Sequence, residues 1–352
     1  MSPVTPDPSP LNPREFTSLL KGTSRSFYIT LRLLPAAIRP QIGLAYLMAR
    51  ATDTIADTDA VSVPDRLEAL DQMRQRVLGS SAPFPADRFV GKSGMTSASA
   101  SGSELQLLNQ FDRVISLLNS YSSSDQELIR SVLSTIVSGQ ELDLKRFTSA
   151  SKQNVISLKS LEETEDYTHR VAGCVGEFWT RCCTHHLFRN GEWNEADQLR
   201  DGVRFGRGLQ WVNILRDLPR DLRQGRCYLP SQALARVNLK PSQLLEPAMM
   251  SSLRPLFETL LRHAEAHLDS GWTYTQSIPR KQRRLRVACA VPVLIGWKTL
   301  SLLRHENPLD PNRRIKVSRA IVRQCVLQST LASWGILSWK ALKAWGQGFR
   351  SD

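Results

Sequence analysis

Residues 42–57 read IGLAYLMARATDTIAD, and this stretch decides the fold class. Its apolar residues recur three and four positions apart, which is the spacing of one face of an α-helix. Asp53 and Asp57 lie four positions apart at its end, so a helix places both carboxylates one above the other on the same face. Paired carboxylates are hard oxygen ligands of the kind that Mg²⁺ takes together with substrate phosphates.

A second pair of the same spacing, Asp217 and Asp221, follows the stretch GLQWVNILR at 208–216. Both pairs stand beside apolar helical residues, and a carboxylate near a core must be matched by charge because an unpaired buried one is costly. Arg50 and Arg216 precede the two pairs. They supply that charge either as structural salt bridges or as ligands of a diphosphate.

A third pair, Asp197 and Asp201, has the same spacing without the apolar setting, and it is interpreted as a surface pair. The two embedded pairs, placed across a pocket, predict a cage of four carboxylates for Mg²⁺. The chemistry that this cage predicts is that of a diphosphate substrate.

Composition fits a soluble globular protein, with 41% hydrophobic and 22% charged residues in 352. Subtracting 33 acidic from 46 basic residues leaves a net charge of +13, which favours an acidic partner: a diphosphate, a nucleic acid or an anionic membrane surface. The basic runs RKQRRLR (280–286) and RRIK (313–316) are accompanied by no nucleic-acid reading motif. No nucleic-acid partner is therefore expected.

Helical periodicity covers almost the whole chain. Apolar residues three and four apart also occur in 104–119, 125–147, 161–189, 197–218 and 253–276. Without an alternating strand run, the sequence predicts an all-α single domain over residues 12–346, after a disordered terminus at 1–11. Residues 80–103 hold seven serines together with Pro83 and Pro85, and they predict a flexible insertion in that domain.

The six cysteines show no spacing typical of a disulfide framework. Cys182, Cys183, His185 and His186 form a cluster that suggests a zinc site, but adjacent helical residues point in different directions, so core packing is the favoured interpretation. The N-terminal residues contain no apolar signal region. Together these features predict a protein of the reducing cytoplasm.

Membrane contact is expected to be peripheral at most. The apolar run Val287–Trp297 is shorter than the ~18 to 20 residues that span a bilayer. Farther on, the sequence carries Trp334, Trp339 and Trp345 together with Lys340 and Lys343. Two interpretations fit them: a helix lying in the inner face of a membrane, or a helix that closes its own core.

Five motifs in one order make the chain recognisable. They are SRSF (24–27), Tyr46 through Arg50 to DTIAD (53–57), YTHRVAGCVG (167–176), GLQWVNILRD (208–217) and GRCYLP (225–230). On these residues the chain resembles the squalene/phytoene synthases, which join two prenyl diphosphates head to head. The resemblance runs from about Lys21 to about Arg319. It implies an isoprenoid-synthase-type helical bundle with a central active-site cavity.

The resemblance also implies a role for each motif residue. The four aspartates, with Asn213, would hold Mg²⁺ or Mn²⁺ against the substrate diphosphates. The substrate-binding positions are Ser24, Arg25, Phe27, Tyr46, Arg50, Gln210, Asn213, Arg216 and Arg226. Tyr167 matches the tyrosine that acts as base in the first half-reaction. Gly173 and Gly176 are interpreted as leaving room for a long prenyl chain.

Two substrates are compatible with this resemblance. A squalene synthase joins two farnesyl diphosphates through presqualene diphosphate and reduces that intermediate with NADPH, whereas a phytoene synthase joins two geranylgeranyl diphosphates without a reductant. The stretch VGEFWT at 175–180 is more like the bacterial squalene branch. Arg314 and Lys316 fall where the NADPH phosphate is contacted, unless they are plain basic surface. Squalene synthesis is the preferred hypothesis.

Three further hypotheses remain open. The reaction could stop at presqualene diphosphate or at hydroxysqualene. The chain could be a non-catalytic assembly factor of the same fold, although its aspartate pairs and Tyr167 are intact. A terpene cyclase would share the metal chemistry and lack the YTHRVAG segment.

Overall fold

The computed structural model describes residues 8–24, 27–58, 60–89, 102–188 and 193–348. Regular structure in these residues is almost entirely helical. The two strands found there, Ile156–Ser157 (β1) and Arg226–Cys227 (β2), have two residues each and pair in parallel. The all-α prediction is therefore confirmed.

The chain gathers into two compact units, and the predicted single domain over 12–346 stays a prediction. The first unit is Met1–Lys145 with Arg181–Leu187. Its helices are α1 (Pro13–Ser24), α2 (Phe27–Leu33), α3 (Arg39–Ala56), α4 (Val63–Leu78), α5 (Ala86–Phe89), α6 (Gly102–Asn109), α7 (Phe111–Asn119) and α8 (Ser123–Arg146). Helix α3 packs against α1, α4, α6 and α7, so the first aspartate pair lies on the most surrounded helix of this unit.

The second unit is Arg146–Thr180 with Phe188–Asp352. Its helices are α9 (Leu161–Thr168), α10 (Cys174–Leu187, whose last turns belong to the first unit), α11 (Glu195–Arg223), α12 (Ser231–Ala235), α13 (Met250–Ser277), α14 (Arg283–His305), α15 (Arg319–Ser333) and α16 (Trp339–Gln347). Short 3₁₀ turns lie at Pro241–Leu245 and Pro247–Met249. Helix α11, which carries the second aspartate pair, packs against α13, α14 and α9.

A π-helical turn, His169–Gly173, joins α9 to α10 inside the YTHRVAG motif. Such turns insert an extra residue into a helix and are frequent at functional sites. The turn packs against α11.

The space around two glycines of this region differs from the prediction made from the sequence. A Cβ on Gly176 would overlap the carbonyl of Gly202, and one on Gly173 would crowd the Arg207 and Val203 side chains of α11. The prediction that Gly173 and Gly176 leave room for a prenyl chain is therefore wrong. The space in front of them is filled by α11, and their use is to let two helices approach closely.

This close approach predicts the effect of a methyl group. Gly176→Ala is expected to destabilise the protein by about 3 kcal/mol, because the new Cβ must push two backbones apart. Gly102→Ala is the matched control, since none of the described residues lies within 4 Å of a Cβ placed there, and its effect should stay within about 0.5 kcal/mol. Urea unfolding of both variants checks the difference, and equal stabilities would contradict the packing role of Gly176.

Part of the segment predicted to be a flexible insertion is packed. Phe84 and Phe89 are buried and stacked at 5.6 Å, and Phe84 meets Phe111 edge-on at 5.5 Å. Phe84 and Phe89 are therefore anchored in the protein, and the flexible insertion predicted at 80–103 stays a prediction. Residues 90–101 lie outside the described residues.

Helix α14 corrects the expectation that no segment is long and apolar enough to span a bilayer. Within the described residues, Arg283–His305 meets that criterion by length and composition, because its alanines, glycine and threonine extend the apolar run. However, 83% of its most apolar stretch is buried inside the protein. Burial of this extent is typical of a helix in the core of a protein.

The three late tryptophans divide between the two interpretations made for them. Trp339 packs on Trp272 at 5.6 Å between ring centroids, and Lys298 lies 4.4 Å from the Trp345 ring. Trp339 and Trp345 therefore pack against their own unit. Trp334 is 63% exposed, with the Arg283 guanidinium 4.5 Å from its ring.

Candidate active site

The first aspartate pair lies at the C-terminal end of α3. Asp53 is in the last turn, Asp57 caps the helix, and the Asp57 N–H donates to the Asp53 carbonyl at 2.9 Å. This bond confirms the helical spacing on which the metal hypothesis rests. Asp53 is half-buried and Asp57 is exposed.

Two side chains from other helices surround Asp53. The Gln140 amide of α8 donates to its Oδ1, and Arg50, one turn earlier on α3, forms an ion pair with the buried Glu104 of α6. Arg50 therefore forms a salt bridge, and its hydrogen-bonded partner is Glu104, not an aspartate of the pair. Its charge still acts on Asp53 through space.

The electrostatic environment of this helix end favours a bound cation. Burial, and then the Asp57 charge, raise the pKa of Asp53 to about 6, although Arg50 and Gln140 act in the opposite direction. A helix C-terminus carries a partial negative charge that also disfavours carboxylates. A divalent ion here would offset the desolvation cost of Asp53, its repulsion from Asp57 and the negative charge of the helix end. Mg²⁺ and Mn²⁺, which take oxygen ligands, fit this environment.

The raised pKa of Asp53 predicts a cost to stability at neutral pH. Between the unfolded value near 3.8 and the folded value of about 6, the folded chain binds more protons, so stability falls as the pH rises through this window. Without divalent ions, Asp53→Asn is expected to raise the free energy of unfolding by about 1 kcal/mol at neutral pH, and by less near pH 5. Thermal unfolding at both pH values checks this, and a variant less stable than the parent at neutral pH would contradict it.

Around the first motif, the structure places Ser24 and Tyr46 close together. The Tyr46 hydroxyl donates to the Thr23 carbonyl at 3.1 Å, and the buried Ser24 hydroxyl bonds the Leu20 carbonyl one turn back in α1. Ser24 therefore ends a helix. Arg25 and the Phe27 side chain lie outside the described residues, and their predicted substrate contacts stay predictions.

The second aspartate pair also lies near the C-terminal end of its helix. Asp217 and Asp221 occupy the last two turns of α11, on either side of Pro219, which has no N–H to donate. Arg216 grips Asp217 with both arms of its guanidinium, at 2.8 Å and 2.6 Å. This ion pair raises the pKa of Arg216. Arg216 thus forms a salt bridge in this structure, and its predicted contact with a diphosphate stays a prediction.

One prediction about the third pair is wrong. Asp201 is 7% exposed, and burial raises its pKa, although Arg200 approaches it at 3.5 Å. It is therefore no surface residue, because α11 turns this face into the protein after its first turn. Asp197 is half exposed and pairs with Arg200 at 2.7 Å.

Tyr167 is joined to α11 through two amides. The Gln210 amide lies 3.5 Å from the Tyr167 hydroxyl, and the Asn213 amide donates to the Gln210 side-chain oxygen at 3.3 Å. The Tyr167 ring stacks on buried Tyr228 at 4.6 Å between centroids. Three residues predicted separately, Tyr167, Gln210 and Asn213, thus form a continuous group in the second unit, ending one turn before Asp217.

A tight turn positions Arg226. Gly225 adopts a φ of 80°, the left-handed region that favours glycine, and its Cα lies against the Ser151 backbone. Arg226 follows on β2, half-buried, and pairs in register with Ile156 of β1.

The residues predicted for NADPH line a cavity of the second unit. It has a volume of about 250 Å³ and is formed by Leu302, Glu306, Arg313, Arg314, Ile315 and Lys316. Arg314 and Lys316 are exposed, and Arg313 forms an ion pair with Glu306. Three basic side chains around one opening suit the phosphate of a nucleotide.

In the cysteine–histidine cluster, the two cysteines pack in the protein core. Cys182 and Cys183 are fully buried, and burial raises the pKa of Cys182 to about 12, so its thiol stays protonated. His186 instead pairs with Asp125 at 2.7 Å. The core-packing interpretation is confirmed.

Sequence reasoning missed several residues of the site region. They are Glu104, Gln140, Glu165, His263 and His267. Glu165 lies two residues before Tyr167, just outside the YTHRVAG motif. The spacing of His263 and His267, four apart in HAEAH, was the available signal for the histidines.

Comparison with known sequences agrees with the motifs. Residues 20–320 match the family model for squalene/phytoene synthase. The squalene synthase of Schizosaccharomyces pombe is 25% identical, over 91% of this chain and 65% of its own length. The bifunctional lycopene cyclase/phytoene synthase of Blakeslea trispora is 28% identical, over 84% of this chain and 45% of its own. The chain thus spans a little under two thirds of the first relative and under half of the second.

Comparison with solved structures confirms the predicted fold. A complex of TcSQS with the ligand E5700 superimposes with a TM-score of 0.75, covering 96% of this chain and 92% of that chain. Identity between the two is 20%. The isoprenoid-synthase-type fold predicted from the motifs is therefore present.

Proposed function

Because this chain belongs to the squalene/phytoene synthase family, we propose that it joins two farnesyl diphosphates head to head through presqualene diphosphate and reduces that intermediate with NADPH to squalene. The observation that carries the proposal is electrostatic. Both embedded aspartate pairs lie at helix C-termini, where carboxylates are costly until a cation joins them.

In the first stage, the carboxylates of the two aspartate pairs would hold divalent ions beside the substrate diphosphates. When bound, Mg²⁺ or Mn²⁺ neutralises the charge that develops on the leaving diphosphate. Arg216, which is hydrogen-bonded to Asp217, would bind diphosphate oxygens with its planar guanidinium. One farnesyl diphosphate loses its diphosphate by cleavage of the allylic C–O bond, and the alkene of the second substrate attacks the allylic cation that this leaves. Tyr167 accepts the proton lost on closure of the cyclopropane.

In the second stage, presqualene diphosphate loses its diphosphate and its ring rearranges. Hydride from NADPH quenches the resulting cation, giving squalene, diphosphate and NADP⁺. Arg314 and Lys316 hold the nucleotide phosphate in this proposal, supported by the basic cavity that they line. Water must be kept from the cation, since its attack would give an alcohol instead.

Phytoene synthesis is the second candidate, favoured by one observation. The Blakeslea trispora relative, whose name includes phytoene synthase, is 28% identical, whereas the Schizosaccharomyces pombe squalene synthase is 25% identical. The squalene hypothesis is preferred because the basic cavity offers a site for a reductant that phytoene synthesis does not need.

Product analysis separates the two candidates. Purified protein with Mg²⁺ is given farnesyl or geranylgeranyl diphosphate, each with and without NADPH, and the extracted lipids are identified by mass spectrometry. Squalene formed only from farnesyl diphosphate with NADPH is the expected result. Phytoene formed from geranylgeranyl diphosphate without NADPH would replace the proposal with the second candidate, and a C15 product would indicate a terpene cyclase.

A cytoplasmic location with peripheral contact at the inner face of a membrane completes the proposal, because the product is a lipid. Its support is the exposure of Leu327, Trp334 and Ile336, at 58%, 63% and 74%, together with the Arg283 guanidinium 4.5 Å from the Trp334 ring. Tryptophan and basic residues together suit the interface of an anionic bilayer. Flotation with anionic vesicles tests this, and equal flotation of a Trp334→Ala, Ile336→Ala protein would contradict it.

A further inference from the structure

We propose that Glu165, His263 and His267 form a second metal site, which takes a transition-metal ion of the Zn²⁺ class and is separate in chemistry from the aspartate pairs. The three ligand atoms lie within 4.8 Å of one another. They come from α9 and α13, which are far apart in sequence.

The carrying observation is the crowding of one carboxylate oxygen. Trp211 Nε1 lies 2.6 Å and His263 Nε2 2.8 Å from Glu165 Oε1 as hydrogen-bond partners, and His267 Nε2 lies 3.5 Å from the same oxygen. A carboxylate oxygen offers two lone pairs, so Trp211 and His263 occupy both and a third hydrogen bond, to His267, has no place on Oε1. An ion placed between Oε1 and the two Nε2 atoms removes this conflict, because both histidines then present lone pairs to it.

The donor set selects the kind of ion. Two imidazoles and one carboxylate are the protein ligands of several zinc sites that keep a fourth position for water. Imidazole suits zinc, copper, iron and nickel, whereas Mg²⁺ prefers oxygen. The aspartate pairs and this cluster are therefore expected to take different metals.

The helical placement of the histidines is that of a chelating pair. His263 and His267 lie four apart on α13, so both imidazoles project from one face. His267 is 92% buried at its side chain and its Nδ1 lacks a hydrogen-bond partner among the described residues, so its position depends on what Nε2 binds. The side chain of His263 is 32% exposed, which leaves a path for an ion to enter.

The remaining contacts form a supporting shell for the carboxylate. Arg207 holds Glu165 Oε2 at 3.1 Å, and Trp211 is fully buried with its indole N–H on Oε1. Although burial acts in the opposite direction, hydrogen bonds from His263, His267 and Trp211 hold the pKa of Glu165 well below its usual range, so the group is ionised at neutral pH. An ion at this point ties together α9, α11 and α13.

The test uses the full chain, stripped of metal and kept in saturating Mg²⁺ so that oxygen sites stay filled. Titration with Zn²⁺, followed calorimetrically, is expected to show one tight site per chain and a raised melting temperature. His263→Gln and Glu165→Gln should each weaken Zn²⁺ binding by more than about tenfold. His185→Gln is the matched control, since that exposed histidine also has a histidine neighbour, and it should bind as the parent does.

Co²⁺ offers a second measurement that needs no variant. A tetrahedral nitrogen–oxygen site gives intense visible bands without the thiolate charge-transfer band that a cysteine ligand would add. Those bands, displaced by Zn²⁺, support the proposal. Absence of a tight Zn²⁺ site, a weak octahedral Co²⁺ spectrum, or unchanged binding in both His263→Gln and Glu165→Gln would each overturn it. Because the readouts are metal binding, they hold whether or not the protein makes squalene.

Discussion

Replacing Asp53 or Asp217 by asparagine is expected to abolish product formation. Asparagine keeps the shape of aspartate and removes the charge, so each pair is left with one carboxylate and its divalent ion is bound too weakly to neutralise the leaving diphosphate. Metal stabilisation of developing charge is worth several kcal/mol, which corresponds to a loss of about 10³-fold or more in kcat. Steady-state turnover of farnesyl diphosphate, measured across a range of Mg²⁺ concentrations, checks this.

The control for these variants is Asp197→Asn, on the same helix as Asp217. Its carboxylate is half exposed and forms an ion pair with Arg200, so activity should stay within about twofold of the parent. Unfolding cannot explain a loss in Asp53→Asn, because that variant is expected to be the more stable one in the absence of metal. If either active-site variant kept more than about a tenth of the parental kcat, its pair would have no part in the mechanism.

The aspartate pairs could be predicted from sequence because their geometry is local. Residues four apart on a helix share a face whatever the rest of the chain does, and the bond from the Asp57 N–H to the Asp53 carbonyl shows that spacing realised. The burial of Cys182 and Cys183 was predictable for a similar reason, since their neighbours set the apolar face of α10.

Partners that arrive from distant segments could not be predicted. Gln140 is 87 residues from Asp53, and His263 is 98 residues from Glu165. Nothing in the helical pattern of α8 or α13 tells which of their polar residues meets an acid on another helix. The unexpected pairing of Arg50 with Glu104 has the same origin.

The glycines show how a correct motif can receive a wrong physical interpretation. A missing side chain makes space, but the sequence does not tell what fills it. At Gly176 the occupant is the Gly202 backbone of α11. This packing holds α10 against the helix that carries Asp217, so the motif glycines act through the scaffold of the site.

Tyr167→Phe is expected to block the first stage and spare the second. The ring stack on Tyr228, 4.6 Å between centroids, needs no hydroxyl and should persist. Only the oxygen beside Gln210 is lost, and with it the group that accepts the proton on cyclopropane closure. Loss of a positioned acid–base group lowers rates by about 10²- to 10⁴-fold. Squalene formation is measured from farnesyl diphosphate and, separately, from supplied presqualene diphosphate with NADPH.

The comparison between the two substrates distinguishes a base from a packing residue. A base for the first stage slows only the reaction that starts from farnesyl diphosphate, whereas a packing defect slows both. Tyr228→Phe removes a hydroxyl from the other ring of the same stack and should leave both rates within about threefold of the parent. Full activity of Tyr167→Phe on farnesyl diphosphate would remove Tyr167 from the mechanism. The proton would then have to leave to the departing diphosphate, whose oxygens are the other bases that the proposed reaction itself provides.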